Sequence, residues 1–355
     1  FTAVNNGTSP LSSIISVTPY FNGCAGTPSS STITVNPLPN VIVPVNSTVC
    51  SGTSIAASAF SSSLPGTTFS WTNSNTAIGL AGSGNGTVPA FIANNSSSAT
   101  ITANIIVTPI LNGCAGPSSV YTIRVNPLPT ATVPANIIAC SGSVIPASAF
   151  SSIPSGATYT WTNSNTTIGL AGSGIGNVPD FTAINNTQSP ITSTITVTPT
   201  NNGCTGPASS YTITVNPLPA VVIQSLSNAI CQGGSITLFG SGASTYSWNT
   251  GESTANINVS PLTTTTYTII GTSSFNCQNT ASKTITVNAL PIVSIQVDDD
   301  TICQGNTATL SGLGADSYSW STGSTLANVS VSPNATSSYS VTGTSSAGCQ
   351  NTASA

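Results

Sequence analysis

Tyr121-Thr122-Ile123-Arg124-Val125-Asn126-Pro127-Leu128-Pro129 reads as a strand running into a joint. Tyr121, Ile123 and Val125 alternate with Thr122 and Arg124, the period of two that places one set on each face of a β-strand. The Asn-Pro-Leu-Pro that follows ends it, because paired prolines fix φ and bias their neighbours to extended backbone. This junction recurs at Asn36-Pro37-Leu38-Pro39 and Asn216-Pro217-Leu218-Pro219, then as Asn288-Ala289-Leu290-Pro291, at steps of 90, 90 and 72 residues.

Other residues keep the same steps. Phe1, Phe91 and Phe181 are 90 apart, as are Cys24, Cys114 and Cys204; Trp71 and Trp161 are 90 apart, Trp248 and Trp320 72 apart. Self-similarity at a fixed period is the mark of a tandem array. The steps divide the chain into two long modules, 39–128 and 129–218, and two short ones, 219–290 and 291–355. Residues 1–38 match the last part of a long module, and 291–355 lack the final strand that Lys283 to Asn288 supplies one module earlier. Both ends cut through a module, and no Met or signal peptide opens the chain, so the sequence reads as a window on a longer array.

Each module reads as short strands. Ile191, Ser193, Ile195 and Val197 alternate with Thr192, Thr194, Thr196 and Thr198, and an aromatic-x-Trp strand occurs once per module: Phe69/Trp71, Tyr159/Trp161, Tyr246/Trp248, Tyr318/Trp320. Side chains two apart share a face, so each pair can anchor one core, with Trp71, Trp161, Trp248 and Trp320 at the centres. Asn22-Gly23, Asn112-Gly113 and Asn202-Gly203 sit between strands where a positive-φ turn is expected. With 31 Gly, 24 Pro and no capped helical stretch, the expectation is all-β: a tandem array of immunoglobulin-like β-sandwich modules forming an extended rod.

Composition narrows the function. Of 355 residues, two are Lys or Arg, six are Asp or Glu, and none is His. Two cations cannot grip a phosphate backbone, so no nucleic-acid partner is expected. Acid–base and His-ligated metal chemistry lose their usual residues. No apolar run approaches a membrane span. Gly82-Ser83-Gly84-Asn85-Gly86 and Gly172-Ser173-Gly174-Ile175-Gly176 look superficially like phosphate-cradling loops, but the flanks are strand-like on both sides, which favours a glycine turn or bulge. Asp298-Asp299-Asp300 is the sole acidic cluster and a weak calcium candidate. Its counterparts one module earlier are Leu226, Ser227 and Asn228, so a solvated turn is the preferred reading. Asp180, Glu252 and Asp316 do not recur, Lys283 lies in an alternating strand, and the Ser and Thr hydroxyls have no His base. The sequence reads as non-enzymatic, with no cofactor.

The nine cysteines are 24, 50, 114, 140, 204, 231, 277, 303 and 349. Pairing across the junctions would join residues carried tens of Å apart by two strands running on in one direction, well beyond the ~7 Å reach of a disulfide between Cα atoms. Pairing within modules gives Cys50–Cys114, Cys140–Cys204, Cys231–Cys277 and Cys303–Cys349, with Cys24 unpaired. It requires the first strand to bend or switch sheets, and it is the preferred arrangement. Regular pairs imply an oxidising, extracytoplasmic setting. No C-x₂-C pair exists, which argues against zinc.

Ile230-Cys231-Gln232-Gly233, Tyr246-Ser247-Trp248-Asn249-Thr250-Gly251, Asn276-Cys277 and Thr284-Ile285-Thr286-Val287, repeated in order from Ile302, resemble the Ig-like modules of large Bacteroidota surface proteins. The long modules, with Trp71-Thr72-Asn73-Ser74-Asn75 and Asn112-Gly113-Cys114, resemble the related PKD-like repeats. The resemblance implies type IX secretion, cell-surface attachment, and an adhesin or gliding-motility role without catalytic residues. Asp300-Thr301-Ile302 also resembles an O-glycosylation motif of that phylum.

Three functional readings follow. The leading one is an extracellular stalk or surface filament whose partners are further modules of the same chain. In the second, outward threonine rows such as Thr192/Thr194/Thr196/Thr198 present a lattice to surface glycans or ice. The third has Ser31 to Val35 of one chain closing the last module of an identical chain, by β-augmentation, to give a head-to-tail filament.

Overall fold

The structure is a computed structural model describing residues 1–355. The chain is all-β, with several β-sandwich modules in tandem; the only helical turns are Thr76–Ile78 and Thr166–Ile168. It divides into two compact units, Phe1–Ile184 with Thr192–Thr214, and Asn185–Ile191 with Val215–Ala355.

In the first unit, the Trp71 module is built on one sheet with the strand order Ser47–Cys50, Ser119–Asn126, Ile101–Leu111, Thr68–Asn73, Ser83–Asn85. The central hairpin pairs Ile101 with Val125 through to Val107 with Ser119, and Trp71 sits opposite Val107. Ala103, Ile105 and Val107 are fully buried, whereas Thr102, Asn104 and Ile106 face outward. Each Ile or Val buried this way contributes about 1.5–3 kcal/mol. The opposing layer is short: Ser54–Ile55 pairs with Phe91–Ile92, and single bridges join Ile42 to Ser61 and Ser58 to Val88. Between the layers lie Trp71, Ile78, Leu80, Ile105, Ile123 and Val125. The Trp161 module repeats this strand order.

Buried asparagines tie the loops to these sheets. Asn73 Nδ2 donates to the Leu80 carbonyl at 3.0 Å and Asn163 Nδ2 to Leu170 at 2.9 Å. Asn95 Nδ2 donates to the carbonyl of Val125 at 2.7 Å. The Asn-Gly turns carry φ of 48° at Asn22, 48° at Asn112 and 47° at Asn202, with the following glycines also positive.

In the second unit, the Trp248 module pairs a three-stranded sheet (Val222–Gln224, Ile236–Ser241, Asn256–Val259) with a four-stranded one. The order in the latter is Ala229–Cys231, Gln278–Asn288, Thr265–Thr272, Thr245–Trp248. Trp248, Leu238, Ile257, Ile269 and Ile285 fill the space between. The Trp320 module has two three-stranded sheets, the second ordered Ser317–Trp320, Ser340–Thr344, Gln350–Ser354.

Residues 1–38 form a hairpin, Leu11–Val17 against Ser29–Val35, whose far end carries the short pair Tyr20–Phe21 and Cys24–Ala25. Ile15 and Val17 are 45% and 63% exposed, although their counterparts one period on, Ile105 and Val107, are fully buried.

Candidate functional site: the module junctions

The residues singled out for chemistry are not brought together. No group of three or more His, Cys, Asp or Glu side chains is placed to hold a metal ion. Within Asp298–Asp300 the carboxylates serve their own turn. Asp298 Oδ1 accepts from the backbone N–H groups of Asp299 at 2.9 Å and Thr309 at 2.7 Å, and Asp299 Oδ1 accepts from Thr301 N–H at 3.1 Å. The Thr309 bond holds the Asp298 carboxyl below its usual range. Burial pushes the Tyr121, Tyr211 and Tyr267 phenols up.

The glycine-rich loops are strands. Ser83–Asn85 pairs with Ser70–Thr72, which lays Gly84 across the Trp71 indole; Gly174 lies across Trp161 in the same way. A Cβ on either glycine would stand 2.4 Å from the indole Cζ2. In the threonine row only Thr192 is exposed, with Thr194, Thr196 and Thr198 half-buried. Thr192 shares its hydroxyl with Thr214 at 2.9 Å. At the matching positions of the Trp71 module stand Thr102, Asn104, Ile106 and Thr108, so the row is not repeated.

What recurs is the junction. In the Asn-Pro-Leu-Pro segments at 36–39 and 126–129 both prolines are buried and the leucine between them is exposed, the reverse of their hydropathies. The reason is packing. Gly116 presses on the Pro39 carbonyl so closely that a Cβ would lie 1.7 Å from its oxygen, and Gly206 meets Pro129 at the same 1.7 Å. In the second unit Gly242 meets the Ala220 carbonyl and Gly314 that of Ile292, with Cβ positions 1.9 and 1.8 Å from the oxygens. Asn279 Nδ2 donates to the Pro219 carbonyl and Asn351 Nδ2 to Pro291, both at 3.0 Å. Each joint is thus wedged into the module that follows it.

The disulfides cross these joints. Cys50 is bonded to Cys204 and Cys231 to Cys349, with Cα atoms 5.6 and 5.5 Å apart. Cys140 and Cys277 are also disulfide-bonded, while Cys24, Cys114 and Cys303 are free thiols. This corrects the within-module pairing Cys50–Cys114, Cys140–Cys204, Cys231–Cys277 and Cys303–Cys349. The strand ending in Cys50 does switch sheets, but it lies parallel to the closing strand, with Cys50 opposite Asn126. Cys114 lies beyond Ser119, at the other end of that hairpin, roughly 23 Å away at ~3.3 Å per residue. Asn126 instead meets the turn of the next module, its Nδ2 donating to the Asn202 carbonyl at 3.5 Å, and Cys204 follows two residues later. The same holds in the second unit, where Cys231 is opposite Asn288 and the Cys349 sulfur is 3.9 Å from the Asn288 carbonyl oxygen. Each bond therefore joins the first cysteine of one module to the second cysteine of the next.

Trp71, Trp161, Trp248 and Trp320 are each 3% exposed. Trp248 Nε1 donates to the Thr254 carbonyl at 2.9 Å and Trp320 Nε1 to Leu326 at 2.8 Å. The Trp71 and Trp161 indole N–H groups are buried without a partner.

The repeated Trp71 and Trp161 architecture has a known counterpart. Residues 47–129 and 138–219 match the PKD-like domain family. These two PKD-like segments make up less than half of the chain. No curated protein matches. Among solved structures, the human desmocollin-1 ectodomain aligns over 96% of this chain and 84% of its own, at 12% identity and a TM-score of 0.31. Mouse cadherin-23 EC22-24 aligns over 71% and 99% at 13% identity and 0.36, and titin domains I67-I69 over 71% and 99% at 12% and 0.42. No helix is long and apolar enough to cross a membrane.

Proposed function

We propose that this chain is a tension-bearing stretch of an extracellular, non-enzymatic stalk that holds an adhesive or anchoring element away from a cell surface. The single observation behind the proposal is the disulfide that joins successive modules. Cys50–Cys204 closes a loop of 154 residues and Cys231–Cys349 one of 118. Load entering along the backbone passes through the sulfurs at these points, and the enclosed modules are shielded from extension. Wedged prolines add stiffness at each joint. Regular disulfides support an oxidising, extracytoplasmic setting, and the resemblance to Bacteroidota surface proteins supports attachment at a cell surface.

The test is single-molecule force spectroscopy on the whole chain, oxidised and then reduced. At ~3.4 Å per residue, reduction should release roughly 500 Å from the first loop and roughly 400 Å from the second. Equal unfolded lengths in both states would show that the sulfurs carry no load, and the reading would fail.

A further inference from the structure

In the second unit, the joint at residues 217–220 and the loops at 242–244 and 273–275 border an open cleft of about 450 Å³. That volume falls among small-molecule sites, which span roughly 300–1,000 Å³. The walls are held in place. Asn279 Nδ2 donates to the Pro219 carbonyl at 3.0 Å, and Gly242 packs against the Ala220 carbonyl with no room for a Cβ. Phe275 lines the cleft and is 45% exposed, and Gln188 lines it from the Asn185–Ile191 segment of the same unit. No lining side chain carries a charge.

The next module, 72 residues on, shows what is peculiar to this place. The turns at 273–277 and 345–349 are closed by the same backbone bonds. Ser273 N–H donates to the Cys277 carbonyl at 2.9 Å and Ser345 N–H to that of Cys349 at 2.8 Å. Within the second turn, Asp316 Oδ2 accepts from the Ser346 N–H at 2.6 Å. The counterpart of Asp316 in the Trp248 module is Ser244, too short to repeat that bond, and the Ser274 N–H has no partner in the chain. The hydroxyls of Ser244 and Ser274 and the amide of Gln188 are likewise unbonded. Where the later turn carries Ala347, this one carries Phe275. The cleft thus gathers an open phenyl ring and unpaired polar groups that the neighbouring module closes off or lacks.

We infer that this cleft binds a neutral oligosaccharide, with one face of a sugar ring lying on Phe275. The negative face of the phenyl ring attracts the weakly positive C–H groups on the apolar side of a sugar. Serine hydroxyls and a glutamine amide both donate and accept, which suits sugar hydroxyls, since these do the same. The Ser274 N–H calls for an oxygen acceptor, the part that the Asp316 carboxylate plays one module later. A charged ligand would find no counter-charge among the lining residues, and a wholly apolar one would leave the donors unpaired. The inference goes beyond the stalk reading, because it gives the chain a ligand of its own. It is also separate from the threonine row of the Trp161 module.

The test uses the whole oxidised chain, titrated calorimetrically with cellohexaose, maltohexaose, mannohexaose and chitohexaose. A parallel arm uses a high-mannose glycoprotein and its enzymatically deglycosylated form. Binding of at least one probe is expected, and Phe275→Ala and Ser244→Asp should each weaken it by roughly tenfold or more. Both variants install a residue that the Trp320 module already carries at the same position, so the fold should persist, as thermal unfolding would verify. Phe239→Ala, which removes a 37% exposed ring outside the cleft, should leave binding unchanged. Binding of free oligosaccharide alone would place the ligand in a polysaccharide. Binding of the glycoprotein that disappears on deglycosylation would place it on a protein-linked glycan. No binding of any probe, binding that survives deglycosylation, or binding that either cleft variant leaves unchanged would overturn the inference. None of these outcomes alters the force response of the chain, on which the stalk reading rests.

Discussion

The two PKD-like segments and the two modules after them centre their cores on the same residue but hold it differently. Trp248 and Trp320 are fixed by a hydrogen bond from the indole to a backbone carbonyl. Trp71 and Trp161 have no such partner, and a strand passes over each ring at a glycine. The short modules therefore position their tryptophan by a directional bond, and the PKD-like segments by shape. A donor left unpaired in the interior costs free energy, about 1–3 kcal/mol by mutational measures. Close packing of the indole under Ser83–Asn85 offsets that cost, which makes the glycine the sensitive point.

The largest effect should come from filling that gap. Gly84→Ala forces a methyl to 2.4 Å from the ring, so the strand or the tryptophan must move. Overpacking of this kind costs about 1–3 kcal/mol. Gly82→Ala, two residues away, meets only the Thr76 methyl at 3.6 Å and should be near neutral. Calorimetry of the whole chain should show the transition of the Trp71 module lowered by the first change and not the second. Equal effects would mean that the glycine serves the turn and not the ring.

The strands, the four tryptophans and the tandem sandwich architecture were legible because period-two alternation and a fixed repeat are both properties of linear order. The role of Gly84 was not, since a glycine that clears a ring and one that makes a turn look alike in a Gly-Ser-Gly-Asn-Gly run. Asn73, Asn95, Asn163 and Asn185 hold the loops, and the first and third, like the second and fourth, keep the 90-residue step. That periodicity was the available signal, obscured by the abundance of asparagine. The disulfide register was hidden for a different reason. Spacing along the chain does not reveal that the first cysteine strand lies beside the closing strand, where only the turn of the next module can reach it.

A second test of the comparison removes the indole N–H while keeping an aromatic ring. Trp248→Phe loses the bond to the Thr254 carbonyl and strands that acceptor, whereas Trp71→Phe discards a donor that had no partner. Both lose ring volume, so the volume cost cancels to first order. The Trp248 change should therefore be the more damaging by about 1 kcal/mol. Denaturant unfolding of both variants measures the difference, and an equal loss would show that the Trp71 N–H is satisfied in solution.

The smallest effect separates the two short modules from each other. Asp298 in the Trp320 module accepts the Thr309 N–H, while the matching residue in the Trp248 module is Leu226. The folded state lowers the Asp298 pKa, chiefly through that backbone bond. A lowered carboxyl pKa contributes stability that is fully present above the unfolded value, about 3.9 for Asp, and is lost as pH falls through the folded one. Acidification below pH about 4 should thus weaken the Trp320 module and leave the Trp248 module unmoved. Asp298→Asn should flatten that dependence while retaining a side-chain oxygen to accept from Thr309. Amide exchange at Thr309, followed against pH and set beside Thr237, its counterpart in the Trp248 module, reads the effect directly. Parallel behaviour of the two amides would remove Asp298 from the account.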